Sequence, residues 1–323
     1  MTDRRGRVKR KLRISLTDRC NFRCAYCMPE TPAWAPREQL LTRDELLRLA
    51  RLFVMRLGTT QLRLTGGEPL LRVDLEDCIA GLGQLRASGL ERISLTTNGA
   101  LLARRAATLK QAGLDDLNVS LDALDPARFH ALSGGRGAVG QVIEGIETAV
   151  AVGLPVKINT VVVRNHNDDQ ILPLAQWASA HDLPLRFIEF MPLDGRGAWS
   201  SDRVVPESEI LARLRPHFTL EPLPRTHEPA TYYSLGGHYR LGIISTISNP
   251  FCGSCDRVRL TATGELYACL FSSRGRDLRS PLREGADDPR IETIIRGHVW
   301  NKEAGYAANG YVERPISMHA LGG

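Results

Sequence analysis

The sequence has no apolar run of about 18 residues, so no membrane-spanning helix is expected. No export signal is expected either, because the basic stretch MTDRRGRVKRKLR leads into ISLTDRC, too short an apolar segment, and the protein is read as cytoplasmic. Aromatic residues are few, at 6%, and are not interleaved with cations, which disfavours a nucleic-acid-binding surface. Excess charge is missing from the body of the chain. The formal charge is +6, yet residues 1–13 hold seven Lys/Arg and one Asp, leaving the remainder neutral. Residues 1–10 are therefore read as a solvated basic arm rather than a polyanion-steering device.

The cysteines lack partners. There are seven, an odd number, and six fall in two tight groups, a pattern of metal binding rather than of disulfides. Cys20, Cys24 and Cys27 have spacing C-x3-C-x2-C, and Cys252, Cys255 and Cys269 have spacing C-x2-C-x13-C. Neither group has a fourth cysteine. Three thiolates on a four-iron cubane leave one iron open, as catalytic zinc sites leave a position open for substrate. A zinc ribbon completed by a distant ligand such as His238 is the competing reading of the second group. Cys78 stands alone on an apolar helical stripe with Leu75, Ile79 and Leu82 and is read as a core thiol.

Six strand candidates, 12–17, 61–65, 92–97, 116–121, 156–163 and 185–190, alternate with helical patterns, which predicts parallel β/α units. Thr42 and Glu45 form a capping box opening the first helix. Further helices are expected from about Asp74 to Gly89 and near 101–112, 139–152, 168–180 and 206–215. The last hundred residues read as short strands and loops. Six units make either an open doubly wound sheet or an incomplete barrel; both place function at the carboxyl ends of the strands. Arg63 and Lys157 fall within strands, where a cation is out of place unless the strand lines a polar cavity. Arg257 and Arg259, two residues apart, would share a strand face.

With Tyr26 before the third cysteine and Gly66-Gly67-Glu68-Pro69 after the second strand, the first group resembles the radical S-adenosylmethionine (SAM) superfamily. Together with LTTNG, NVSLD, VKINTV, RFIEFMP and FCGSCDRVRLTATGELYACL, in order from about residue 11 to the end, the chain is similar to the GTP 3′,8-cyclase family of molybdenum cofactor biosynthesis. The resemblance implies an α/β fold, an incomplete (β/α)6 barrel over 11–220, with a cluster-binding extension over 221–323. It implies two [4Fe-4S] clusters and SAM as cofactors. Cys20, Cys24 and Cys27 would hold the SAM-cleaving cluster; Cys252, Cys255 and Cys269 would hold a second, whose open iron takes guanine. Tyr26, Gly67, Ser120 and Met191 would meet SAM. Arg13, Arg63, Thr96, Lys157, Arg257 and Arg259 would meet GTP. A diglycine tail, Gly322 and Gly323, would thread into the site and assist catalysis. Implied partners are GTP, an electron donor of flavodoxin or ferredoxin type, and a downstream cyclic pyranopterin monophosphate synthase, with a homodimer allowed and neither membrane nor nucleic acid involved. The alternatives are a radical enzyme acting on a peptide, disfavoured because such enzymes usually carry more C-terminal cysteines, and a zinc-stabilised nucleic-acid-binding protein with a basic arm, disfavoured by the neutral body and the few aromatics.

Overall fold

The computed structural model describes residues 1–323 except 194–196, 198, 227, 307–316 and 323. Six parallel strands form where the alternation predicts them: β1 (Lys11–Ser15), β2 (Gln61–Thr65), β3 (Arg92–Thr97), β4 (Asp116–Ser120), β5 (Val156–Val162) and β6 (Leu185–Glu189). Each is backed by helices, among them α1 (Arg43–Met55), α2 (Leu75–Gly83), α3 (Leu102–Gln111), α4 (Pro126–Leu132), α5 (Val139–Ala151), α6 (Ile171–Ala180) and α7 (Glu207–Leu214). The Thr42 hydroxyl accepts from the Glu45 amide at 3.3 Å and the Glu45 carboxylate accepts from the Thr42 amide at 2.8 Å, completing the capping box.

The C-terminal region extends the same sheet on both sides. β7 (Leu220–Pro222), β8 (Thr231–Leu235) and β9 (Tyr239–Ile244) continue beyond β6, and β9 runs parallel to it. β10 (Arg257–Leu260), β11 (Glu265–Tyr267) and β12 (Arg276–Asp277) continue beyond β1, and β10 runs parallel to it. The order is β12-β11-β10-β1-β2-β3-β4-β5-β6-β9-β8-β7, so β7 and β12 are edges and the barrel is not closed.

Period-two alternation decides what each face does. In β1 and β2, Leu12, Ile14, Leu62 and Leu64 are fully or almost fully buried in the core packed against the helices. Arg13 and Arg63 stand on the opposite face and line a cavity inside the curved sheet. Cys78 is 0% exposed, as a core thiol should be.

Several expectations change. The helix expected to Gly89 splits into α2 and a 3-10 turn, Gln84–Ser88, stopped by Gly89 at φ 102°. Helix α4 was not anticipated, although Asp125 caps it and Pro126 opens it. The last hundred residues are not all strand and loop: α8 (Arg279–Arg283) and α9 (Asp288–Trp300) form, the latter capped by Asp287. Residues 1–10 are not a solvated arm. Asp3, Arg7 and Lys9 are buried while Arg4, Arg5, Val8 and Arg10 face solvent. The physical reason is Asp3, whose carboxylate meets Arg7 at 2.7 Å and Lys9 at 2.9 Å and lets both enter the interior.

Candidate active site

Strand direction sorts the two cysteine trios to opposite ends of the barrel. Cys20, Cys24 and Cys27 follow β1 and stand at the carboxyl ends of the strands. Cys252 and Cys255 precede β10, and Cys269 follows the antiparallel β11, so the second trio stands at the amino ends. All six nevertheless line one cavity. The rule that function sits at carboxyl ends therefore describes only the first trio. The second is placed at the other end because β10 joins the sheet parallel to β1.

The first loop is fixed by backbone contact. A Cβ on Gly67 would lie 2.3 Å from the Arg19 carbonyl oxygen, so only glycine fits. The Glu68 amide donates to that same oxygen at 2.8 Å. The Glu68 side chain accepts from Leu70 N at 2.9 Å, Thr97 Oγ1 at 2.7 Å and Asn98 N at 2.7 Å, so it clamps the turn. Burial pushes its pKa up to about 7 against those three donors. Tyr26 donates its hydroxyl to Asp122 at 2.5 Å, tying the cysteine loop to the end of β4. Burial holds Asp122 up at about 6. Burial also raises all three thiols, Cys20 to about 11.

Between the trios lies a belt of cations in strand register. Arg259, Arg13 and Arg63 are adjacent across β10, β1 and β2; Arg257 and Lys11 form the next row. Lys157 pairs with Asn118, and Asn118 with Thr96. Nine Lys/Arg side chains line the cavity against two carboxylates, Asp122 and Glu228. Burial, then the neighbouring Arg259, Arg63, Arg257 and Arg186, drives the Arg13 guanidinium well below its usual pKa. Burial brings Arg63 and Arg259 down to about 10 and also lowers Lys157. Like charges facing one another across strands oppose folding unless an anion lies between them.

Every proposed ligand of SAM and GTP, from Tyr26, Gly67, Ser120 and Met191 to the six cavity residues Arg13, Arg63, Thr96, Lys157, Arg257 and Arg259, lines this cavity. Sequence reasoning missed Lys11, Arg92, Asn118, Asn159 and Arg186, which line it too. Arg186 donates to Asn159 at 3.0 Å and to Asn118 at 2.7 Å. Reading alternate residues along every strand would have found them. Gly322 sits beside Ser15 and Thr65, and its carbonyl accepts from Arg259. The tail before it is held by Met318 N to Leu193 O at 2.9 Å and by His319 N to Cys27 O at 3.4 Å. Gly323 lies outside the described residues.

The model of the radical SAM superfamily matches residues 14–178, and that of molybdenum cofactor synthesis C matches 183–308. The chain is 46% identical over its whole length to the GTP 3′,8-cyclase of Corynebacterium glutamicum, covering 89% of that protein. It belongs to the GTP 3′,8-cyclase family. The GTP 3′,8-cyclase 2 of Mycobacterium tuberculosis is 44% identical, with 100% of this chain and 92% of that protein covered. The fold recurs in solved structures. Streptococcus suis SuiB bound to its precursor peptide SuiA superposes with a TM-score of 0.62 at 14% identity, covering 96% of this chain and 74% of that one. Methylornithine synthase does so at 0.51 and 17%, covering 65% and 62%. These two show the fold alone. Members of the GTP 3′,8-cyclase family use SAM and two [4Fe-4S] clusters. Among the described residues no helix is long and apolar enough to cross a membrane.

Proposed function

We propose that the protein converts GTP to 3′,8-cyclo-7,8-dihydro-GTP, the first step of molybdenum cofactor biosynthesis. The observation that carries this reading is the single cavity with a cysteine trio at each end and a cation belt between them. The donor sets fit cubanes. All six cysteines are free thiols, and thiolates are the ligands iron–sulfur clusters take. Among the described residues no three ligands converge on one metal ion. A cubane needs no such convergence, because each thiolate meets a different iron. Cys20, Cys24 and Cys27 would hold one cluster, and Cys252, Cys255 and Cys269 the other. When bound, the clusters would supply electrons, one to cleave SAM reductively into methionine and the 5′-deoxyadenosyl radical that takes the 3′ hydrogen of GTP, and one more, with a proton, to complete the nucleotide once its carbon 3′ has closed onto carbon 8.

The chain's own residues bind, orient and exclude water. Arg13, Arg63, Lys157, Arg257 and Arg259 offset the triphosphate's negative charge, and guanidinium forks match its oxygens. Thr96 and the newly found Arg186 complete that wall. Tyr26, Gly67, Ser120 and Met191, which line the cavity, would hold SAM. Gly322 delivers backbone to Arg259 and keeps that guanidinium aimed into the cavity. An electron donor of flavodoxin or ferredoxin type, a downstream pyranopterin synthase and self-association into a homodimer belong to the same reading.

The test is anaerobic. Reduced wild-type protein should form 5′-deoxyadenosine only when GTP is present, together with the cyclic product. Cys24→Ser should fold yet form neither. Deoxyadenosine at the wild-type rate from that variant, or formation indifferent to GTP, would end the proposal.

A further inference from the structure

Four ionisable side chains are buried together beneath the second cysteine trio: Asp3 at 1% exposure, Arg7 at 7%, Lys9 at 0% and Lys302 at 2%. Three are cations and one is an anion. Asp3 neutralises part of the set by pairing with Arg7 and Lys9. Among the described residues Lys302 has no carboxylate within ion-pair distance. Its ammonium instead donates to the Cys255 sulfur at 3.3 Å and to the Arg257 carbonyl at 2.9 Å. A buried surplus of positive charge is costly unless an anion is placed against it. The anion available here is the thiolate set.

The N-terminal arm holds the same turn from behind. Lys9 Nζ donates to the Cys255 carbonyl at 2.6 Å, and Arg7 Nη1 donates to the Cys252 carbonyl at 3.0 Å. Arg7 also reaches the carbonyls of Glu303 at 2.7 Å and Ala304 at 3.1 Å, just beyond α9. The arm thus clamps the cysteine turn and the segment bearing Lys302 to each other.

We propose that Lys302 is a positioning residue: its N–H···S hydrogen bond to Cys255 sets the reduction potential of the second cluster, and the N-terminal arm braces that contact. This rests on the reading that the second trio holds a cluster. Cluster potentials follow net charge and hydrogen bonds to the sulfurs. Taking up one electron adds one negative charge, which a fixed ammonium at 3.3 Å favours. Losing it should lower the reduced-to-oxidised ratio about tenfold at fixed potential, ~59 mV for one electron.

The experiment uses full-length Cys24→Ser protein, so that the second cluster is observed alone, with Lys302→Met and Lys302→Arg added separately. Iron is counted, and midpoint potentials are read by electron paramagnetic resonance during anaerobic dithionite titration. The expected result is about four irons per chain in all three proteins, a more negative potential for Lys302→Met, and a near-parental one for Lys302→Arg. Iron lost from Lys302→Met but kept by Lys302→Arg would show that the charge retains the cluster rather than tunes its potential, and would overturn the proposal. An unchanged potential in Lys302→Met, or iron lost from both, would overturn the proposal. Absence of iron from Cys24→Ser itself would remove the cluster reading, and is distinguishable from failure of the lysine role alone.

Discussion

The substitution Gly322→Ala tests the tail most directly. Gly322 has φ +79°, and an added Cβ would lie 2.4 Å from Thr65 Cγ2 and 2.6 Å from Ser15 Oγ. Both atoms belong to short side chains near the ends of buried strands, so neither can swing aside. The backbone strain of a non-glycine residue there costs roughly 1–2 kcal/mol, before the two contacts are counted. Arg259 holds the terminus by donating to the Leu321 and Gly322 carbonyls, bonds to a charged group worth about 1.5–3 kcal/mol, and the buried Leu321 side chain and the Met318 and His319 backbone bonds add to that hold. Strain and the two close contacts together offset much of that hold, so the seated population should fall about tenfold, or ~1.4 kcal/mol. Turnover, read as GTP-dependent deoxyadenosine and cyclic product, should fall by the same factor. Iron content and the unfolding midpoint should not move, because the tail lies over the site and outside the main core. Adding Thr65→Ser removes the nearer methyl and should restore part of the rate. Wild-type turnover in Gly322→Ala would refute the reasoning.

Two further outcomes follow from the same geometry. Arg63→Ala should weaken GTP binding about 10- to 150-fold, the loss of a charge-assisted contact of about 1.5–3 kcal/mol, while the unfolding midpoint of the GTP-free protein holds or rises. Burial holds that guanidinium at about 10, so its removal relieves a cost; calorimetric titration and thermal scans check the pair of effects. Thr42→Ala should cost about 1 kcal/mol of stability through the lost cap and leave turnover unchanged, measured by anaerobic denaturation and the product assay.

Much of the site could be read from residue order. The cysteine spacings, the Gly-Gly-Glu-Pro turn and cations out of place in strands each leave a local mark. Arg63 and Lys157 stood out because their neighbours Leu62, Leu64, Val156 and Ile158 are core residues. The burial of the N-terminal arm left no such mark. Five cations in ten residues read as solvated, and it is Asp3 together with the distant carbonyls of Cys252, Cys255, Glu303 and Ala304 that turns Arg7 and Lys9 inward. The clamp by Glu68 was hidden for the same reason, since Thr97 and Asn98 lie on another strand's end.

By itself the sequence determined the six β/α units, the first helix cap, the two thiol trios and the polar face of each strand. These depend on period, spacing and neighbours within a few residues. Tertiary structure alone decided that the trios lie at opposite ends of one cavity, that β9 and β10 extend the parallel sheet, and that the arm braces the second trio. Strand direction and register join residues some 250 positions apart, as Arg7 and Cys252 are, and no local pattern encodes which distant backbone a buried charge will meet.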